Sequence, residues 1–120
     1  MSKGKVLLVE DAYINQVLVE NILIDAGFDV LIVDDGEKAI EALQNDTFIL
    51  MILDLMMPVM DGFTLLEKAK DKINFPVIVV TARSDYESIE KAIHLGANDY
   101  LIKPFNSKDF LNKVERLLAK

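Results

Sequence analysis

The chain contains no cysteine. Disulfides, thiolate nucleophiles and cysteine metal sites are therefore excluded. Histidine occurs once, at His94, late in a helical stretch where a surface place near the helix C-terminus suits it. No apolar run approaches the ~18 residues that a membrane helix needs. Met1-Ser2-Lys3-Gly4-Lys5 imitates the start of a signal peptide, but the apolar stretch Val6–Val9 stops at Glu10-Asp11, too soon for a leader. Basic residues are outnumbered, 13 against 20 acidic ones, for a net charge of −7; that disfavours nucleic acid as a partner. These absences fit a cytoplasmic protein that engages neither membrane nor nucleic acid. Linkers, repeats and low-complexity segments are also missing, so residues 1–120 read as one domain.

What is present is apolar residue in short, regular bursts. Hydrophobic residues make up 52% of the chain, enough for a true core at this length. Lys5–Val9, Asp29–Val33, Ile49–Leu53, Val77–Thr81 and Asp99–Ile102 are rich in Val, Ile and Leu and apolar almost throughout. Such runs suit parallel strands covered on both faces. Helix-period segments lie between them. The first, about Ile14 to Ala26, carries the stripe Leu18, Val19, Ile22, Leu23 and Ala26, with Gly27 as its stop. The second, about Glu37 to Gln44, carries Ala39, Ile40 and Leu43; Asp34-Asp35-Gly36 before it reads as a turn and N-cap. The third follows Asp61-Gly62 with Leu65, Leu66 and Ala69. The fourth follows Ser84, the expected cap, with Ile89, Ala92 and Ile93, and ends at Gly96. The last follows Ser107, with Phe110, Leu111, Val114, Leu117 and Leu118 on one side.

Strict β-α alternation implies a parallel sheet with helices on both faces. Five strands joined by right-handed crossovers suit the flavodoxin-like (βα)5 order 2-1-3-4-5. Ligands in such sheets bind beyond the carboxyl ends of the strands. There strand one ends in Glu10-Asp11, strand three in Asp54, strand four in Thr81-Ala82 and strand five in Lys103-Pro104. Strands one, three, four and five are contiguous in that order, so these groups converge. Three clustered carboxylates repel unless a cation or a proton relieves them. Oxygen ligands without histidine or cysteine suit Mg²⁺, or Mn²⁺. With a hydroxyl and an ammonium nearby, the implied chemistry is in-line phosphoryl transfer to a carboxylate.

Val9-Glu10-Asp11, Asp54 with Pro58 and Asp61-Gly62, Thr81-Ala82, Tyr100 and Lys103-Pro104-Phe105 run in order over essentially the whole chain. In this the sequence resembles the receiver domain of two-component response regulators. The resemblance implies a phosphoacceptor at Asp54 and a direct metal ligand at Asp11, with Glu10 nearby or acting through water. It implies a further ligand in the Met56 carbonyl. Thr81 and the Ala82 N–H would hold the phosphoryl group, and Lys103 would pair with its oxygens. Tyr100 would swing inward as the switch. The partners implied are a histidine kinase or a histidine phosphotransfer domain, and a downstream protein, with the chain a monomer or weak homodimer. Ile14 and Val17 are expected to face outward beside the site, with Phe105, as a docking surface.

Other readings fit less well. A flavin site needs a Ser/Thr/Gly-rich phosphate loop after strand one, where this chain has Glu10-Asp11. A haloacid-dehalogenase-type phosphatase needs a second Asp two residues after the nucleophile; here Met56 stands there. A receiver without chemistry, serving only to bind partners, is argued against by the complete set of site residues. Tyr13-Ile14-Asn15-Gln16-Val17 resembles receivers of hybrid histidine kinases, which leaves a piece of such a kinase as the alternative context.

Overall fold

The computed structural model describes residues 2–119. Its elements run β1 (Lys5–Val9), α1 (Tyr13–Asp25), β2 (Asp29–Val33), α2 (Gly36–Asn45), β3 (Leu50–Leu53), α3 (Gly62–Ala69), a 3₁₀ turn (Lys70–Lys72), β4 (Val77–Thr81), α4 (Tyr86–His94), β5 (Asp99–Ile102) and α5 (Ser107–Leu118). The five strands form one sheet in the order β2-β1-β3-β4-β5, every neighbouring pair parallel. This is the flavodoxin-like architecture expected from the alternation of elements.

Two-residue strand periodicity divides the core. Val6, Leu8, Leu50, Ile52, Ile78 and Val80 face α1 and α5, packing on Val19, Leu23, Phe110 and Val114. Leu7, Val9, Met51, Leu53 and Val77 face the other way, onto Ala39 and Leu43 of α2 and Leu65, Leu66 and Ala69 of α3. Val79 joins Phe63 of α3 and Ala92 of α4 on that side. Residues of β3 and β4 are buried without exception, which is why their sequences carry no polar alternation.

Local chemistry sets the helix starts. Asp35, Asp61, Asp85 and Asn106 each accept a hydrogen bond from the backbone N–H three residues on, at Lys38, Thr64, Ser88 and Asp109. Such caps satisfy donors that the first helical turn leaves free. Helix α1 begins after Ala12 and has no side-chain cap. Gly27 follows α1 at φ 100°, a conformation that glycine adopts without a Cβ clash.

Several expectations need correction. Strand β3 starts at Leu50, one residue late. The cap of α4 is Asp85 rather than Ser84, because the Asp85 carboxylate reaches both the N–H and the hydroxyl of Ser88. Helix α5 starts at Ser107, capped from Asn106. The edge strands are not covered on both faces: Asp29 and Leu31 of β2 are exposed, and β5 is only half-buried. Leu18 is 47% exposed rather than part of the buried stripe, and Ile93 of α4 is exposed as well. Val17, expected outside, is half-buried. The face of α1 turned to the core is centred on Val19 and Leu23, which brings Val17 under the edge of the helix and turns Leu18 out.

Candidate functional site

Glu10, Asp54 and Lys103 each occupy the ladder position just beyond their strand, and Thr81 is the last residue of β4. Glu10 N–H donates to the Val33 carbonyl (3.0 Å), Asp54 N–H to Val9 (3.1 Å) and Lys103 N–H to Thr81 (2.8 Å). The sheet thus carries these backbones to one rim, and the side chains meet there. One carboxylate oxygen from each of Glu10, Asp11 and Asp54 lies within 4.8 Å of the others. Lys103 Nζ donates to Glu10 Oε1 at 2.7 Å and to Asp54 Oδ2 at 2.8 Å. The remaining Asp54 oxygen, Oδ1, accepts the Met56 N–H at 3.0 Å. Thr81 is fully buried beside them, whereas Ala82 and Asp11 are exposed.

Two features hold Asp54 in place. Gly62, at the start of α3, packs so tightly that a Cβ there would lie 2.9 Å from the Asp54 carbonyl oxygen and from Leu55 Cα. The Gly62 N–H donates to the Leu55 carbonyl. Between them the loop carries Val59 at φ 68° and largely exposed, a strained setting for a β-branched residue.

The charges are not balanced. Glu10 is 3% exposed and Asp54 7%, so both carboxylates are largely removed from water. Burial pushes the Glu10 carboxyl above its ordinary value; hydrogen bonds from Lys103 and the Ala12 N–H oppose this, and the Asp54 charge adds to it. Burial alone would lower the Lys103 ammonium, but its hydrogen bonds to Asp54 and Glu10 outweigh burial and raise it. The Lys103 ammonium bonds two of the three clustered carboxylates, Glu10 and Asp54. The donor set is all oxygen and carboxylate-rich, with no histidine or cysteine, and fits a hard divalent cation.

The other expected residues are placed unevenly. Tyr100 is half-buried, and its hydroxyl donates to the Arg83 carbonyl at 2.8 Å, tying β5 to the loop between β4 and α4. The Met56 side chain points to solvent. Ile14 is 80% exposed, as expected of a docking residue. Phe105 instead leans inward, its ring 5.5 Å from that of Phe110. His94 is exposed at the end of α4. Sequence reasoning missed Gln16, whose side-chain amide donates to the Glu10 carbonyl at 2.6 Å; the signal was a helix that begins without a capping residue. It missed the Arg83 carbonyl too, for which side-chain identity gives no cue.

A sizeable cleft lies elsewhere. About 680 Å³ in volume, it lies at the opposite end of the strands, lined by Leu66, Lys70, Phe75, Val77 and His94 among others. Size alone would make it the first candidate. The chemistry decides otherwise, since the buried, mutually bonded charged groups converge at the carboxyl rim.

Fold and site together define a parallel (βα)5 domain with a carboxylate cluster and a lysine at the carboxyl rim of its sheet. The family model for the response regulator receiver domain matches residues 6–115, and the chain belongs to that family: it is a receiver domain of two-component signal transduction. The transcriptional regulatory protein HprR of Escherichia coli K12 is 37% identical over 114 residues, 95% of this chain and 51% of HprR. Among solved structures, the receiver domain of the sensor histidine kinase PA1611 from Pseudomonas aeruginosa PAO1, with a magnesium ion coordinated in its active-site cleft, is 29% identical at a TM-score of 0.89, with 98% of each chain covered. Chemotaxis protein CheY4 of Vibrio cholerae is 32% identical at a TM-score of 0.88, covering 96% of this chain and 98% of CheY4. The chain spans about half the length of the curated relatives it matches. Those relatives are transcriptional regulators, so the matches do not favour the hybrid-kinase context. No helix among the described residues is long and apolar enough to cross a membrane.

Proposed function

We propose that Asp54 accepts the phosphoryl group, and that residues 1–120 act as one receiver domain. The observation that carries this is the meeting of Glu10, Asp11 and Asp54 oxygens within 4.8 Å, bridged by Lys103 at 2.7 and 2.8 Å. Glu10, Asp11, Asp54 and the Met56 carbonyl would hold Mg²⁺, which would supply charge neutralisation for the carboxylates and the incoming phosphoryl oxygens.

The chain's own residues do the rest. Met56 N–H fixes Asp54 Oδ1 and so orients the carboxylate. An Asp54 oxygen attacks phosphorus in line; the bond from phosphorus to the donor's imidazole nitrogen breaks, and that nitrogen keeps the electron pair. The product is an acyl phosphate. Lys103 is already within hydrogen-bond reach of Asp54 and stabilises charge on the transferred oxygens. Thr81 offers its hydroxyl and Ala82 its N–H to the phosphoryl group. Drawing Thr81 toward that group frees space for Tyr100, whose bond to Arg83 couples β5 to the start of α4. The phosphoryl group shifts the population only as far as it binds one arrangement better.

The donor is a histidine kinase or a histidine phosphotransfer domain in the cytoplasm. It docks on the start of α1, where Ile14 is exposed beside Asp11; Val17 and Phe105, half-buried, support that surface from beneath. The output passes to a downstream protein, and the chain works as a monomer or weak homodimer.

Intact-mass measurement with acetyl phosphate and Mg²⁺ tests the central claim. One added phosphoryl group is expected in the parent and none in Asp54→Asn. Persistent incorporation in the variant would overturn the assignment.

A further inference from the structure

Helix α1 is the exception among the five α-helices: the other four open on an Asp or Asn side chain bonded to the first turn, and α1 opens on Ala12 with no such bond. Its start is held from the site instead. Glu10 Oε2 accepts the Ala12 N–H at 3.1 Å. Gln16, one turn into the helix, sends its side-chain amide back to the Glu10 carbonyl at 2.6 Å. The Gln16 backbone N–H donates to the Ala12 carbonyl in the ordinary helical way.

These two side-chain bonds bracket Asp11. The Glu10 carbonyl belongs to the peptide plane before Asp11, and the Ala12 N–H to the plane after it. A peptide plane moves as a unit, so a bond to one atom of each plane restrains φ and ψ of the residue between them. Asp11 is itself exposed, so its direction toward Glu10 and Asp54 is set through its backbone. Glu10 is held in turn by Lys103, which makes the bracket part of the charged cluster.

We propose, on the reading of Asp11 as a direct metal ligand, that Gln16 is a positioning residue for the metal site. Its amide locks the peptide plane ahead of Asp11 and presets that carboxylate for the cation. A ligand set in place before binding loses less freedom on binding, and removing the group that orients a metal ligand weakens affinity by 10- to 100-fold in typical sites. Here the orienting bond acts through the backbone, so the lower end of that range is expected.

Mn²⁺ binding, followed by loss of the free-ion electron paramagnetic resonance signal, tests this without any phosphoryl transfer. Gln16→Met keeps the length and removes the donor, and it should weaken Mn²⁺ binding by roughly 10-fold. Asp35→Ala removes the cap of α2, a carboxylate that bonds the Lys38 N–H and none of Glu10, Asp11, Asp54 or Gln16, and should leave affinity at the parent level although it lowers stability. Asp11→Asn reports on the underlying reading. Weak binding in Asp11→Asn with parent-like binding in Gln16→Met overturns the role of Gln16 alone. Parent-like binding in Asp11→Asn overturns both. Equal weakening in Asp35→Ala and Gln16→Met would show general loosening and would also overturn the proposal. Should Gln16→Met fail to fold, Gln16→Glu decides: it keeps the shape, lacks the donor, and adds a negative charge that by itself favours a cation. Weaker binding in Gln16→Glu supports the proposal; parent-like or tighter binding overturns it.

Discussion

Asp35, which opens α2, and Asp54, which ends β3, make one similar bond. Asp35 accepts the Lys38 N–H at 2.8 Å and Asp54 accepts the Met56 N–H at 3.0 Å. Their neighbours differ. Asp35 stands at a helix N-terminus, where the helix dipole favours an anion. Asp54 is almost fully buried, shares Lys103 with Glu10, and has a third acidic oxygen, from Asp11, within reach. The same carboxylate therefore stabilises the fold in one place and strains it in the other. On the proposed function, a cation and a phosphoryl group bound at this rim would take precedence over stability.

Removing the one cation should have the largest effect. Lys103→Met leaves two buried carboxylates facing each other with no ammonium between them. Breaking a buried ion pair from one side costs about 3 kcal/mol or more. In EDTA the variant should unfold at much lower denaturant than the parent, and Mg²⁺ should recover part of the loss because it binds only the folded site. A loss under 1 kcal/mol would mean that the carboxylates are not held against each other.

Neutralising the two aspartates in turn sharpens the contrast. Asp35→Ala should destabilise by about 1 kcal/mol, the usual effect of a lost N-cap. Asp54→Asn removes one of the crowded charges with little change of shape and should stabilise the metal-free protein by about 1 kcal/mol. Urea titrations in EDTA give both signs. Mg²⁺ should then stabilise the parent more than Asp54→Asn, which lacks a charged ligand. If both variants lose stability in EDTA, Asp54 acts as a structural cap and the contrast fails.

The contrast was only partly legible in the sequence. Strand order and the converging rim could be read because β3 and β4 are buried on both faces, so Leu50–Leu53 and Val77–Thr81 carry an unbroken apolar signal that ends on Asp54 and Thr81. The edges were read less well. Asp29 and Leu31 lie on a strand with one neighbour; the order 2-1-3-4-5 already put β2 and β5 at the edges, but their apolar runs were read like those of the central strands. On α1, Val17 and Leu18 exchanged their expected places, because both are apolar and adjacent positions differ by only about 100° around the helix. The caps Asp85 and Asn106 each lie one residue from the expected position, a common shift at helix ends. Gln16 and the Arg83 carbonyl were missed as site groups: the Gln16 amide bonds the Glu10 carbonyl and the Arg83 carbonyl accepts from the Tyr100 hydroxyl, so each contact has a backbone atom on one side, which residue identity does not mark. The place of Lys103 at the rim followed from strand order, but its bonds to both Glu10 and Asp54 did not.

The smallest effect expected is one of pH, and it separates the two kinds of acid by sign. Asp85 caps α4 with its carboxyl held below the ordinary value of 3.8, chiefly by the Ser88 hydroxyl. A lowered folded value gives stability that is present above 3.8 and is lost as pH falls through the folded value. Glu10 goes the other way: burial raises it above its ordinary 4.5. From pH 4.5 upward the unfolded chain then gives up this proton before the folded one does, so the stability Glu10 contributes in acid is lost as pH rises through its folded value. In EDTA the parent should therefore lose stability relative to Glu10→Gln as pH rises above about 4.5, whereas below 3.8 the two should fall together as the helix-cap acid takes up its proton. Thermal midpoints of both proteins across this range measure the difference. A difference curve that is flat above 4.5, or that slopes the other way, would show that the Lys103 and Ala12 bonds outweigh burial, and Glu10 would then belong with the stabilising caps rather than with Asp54.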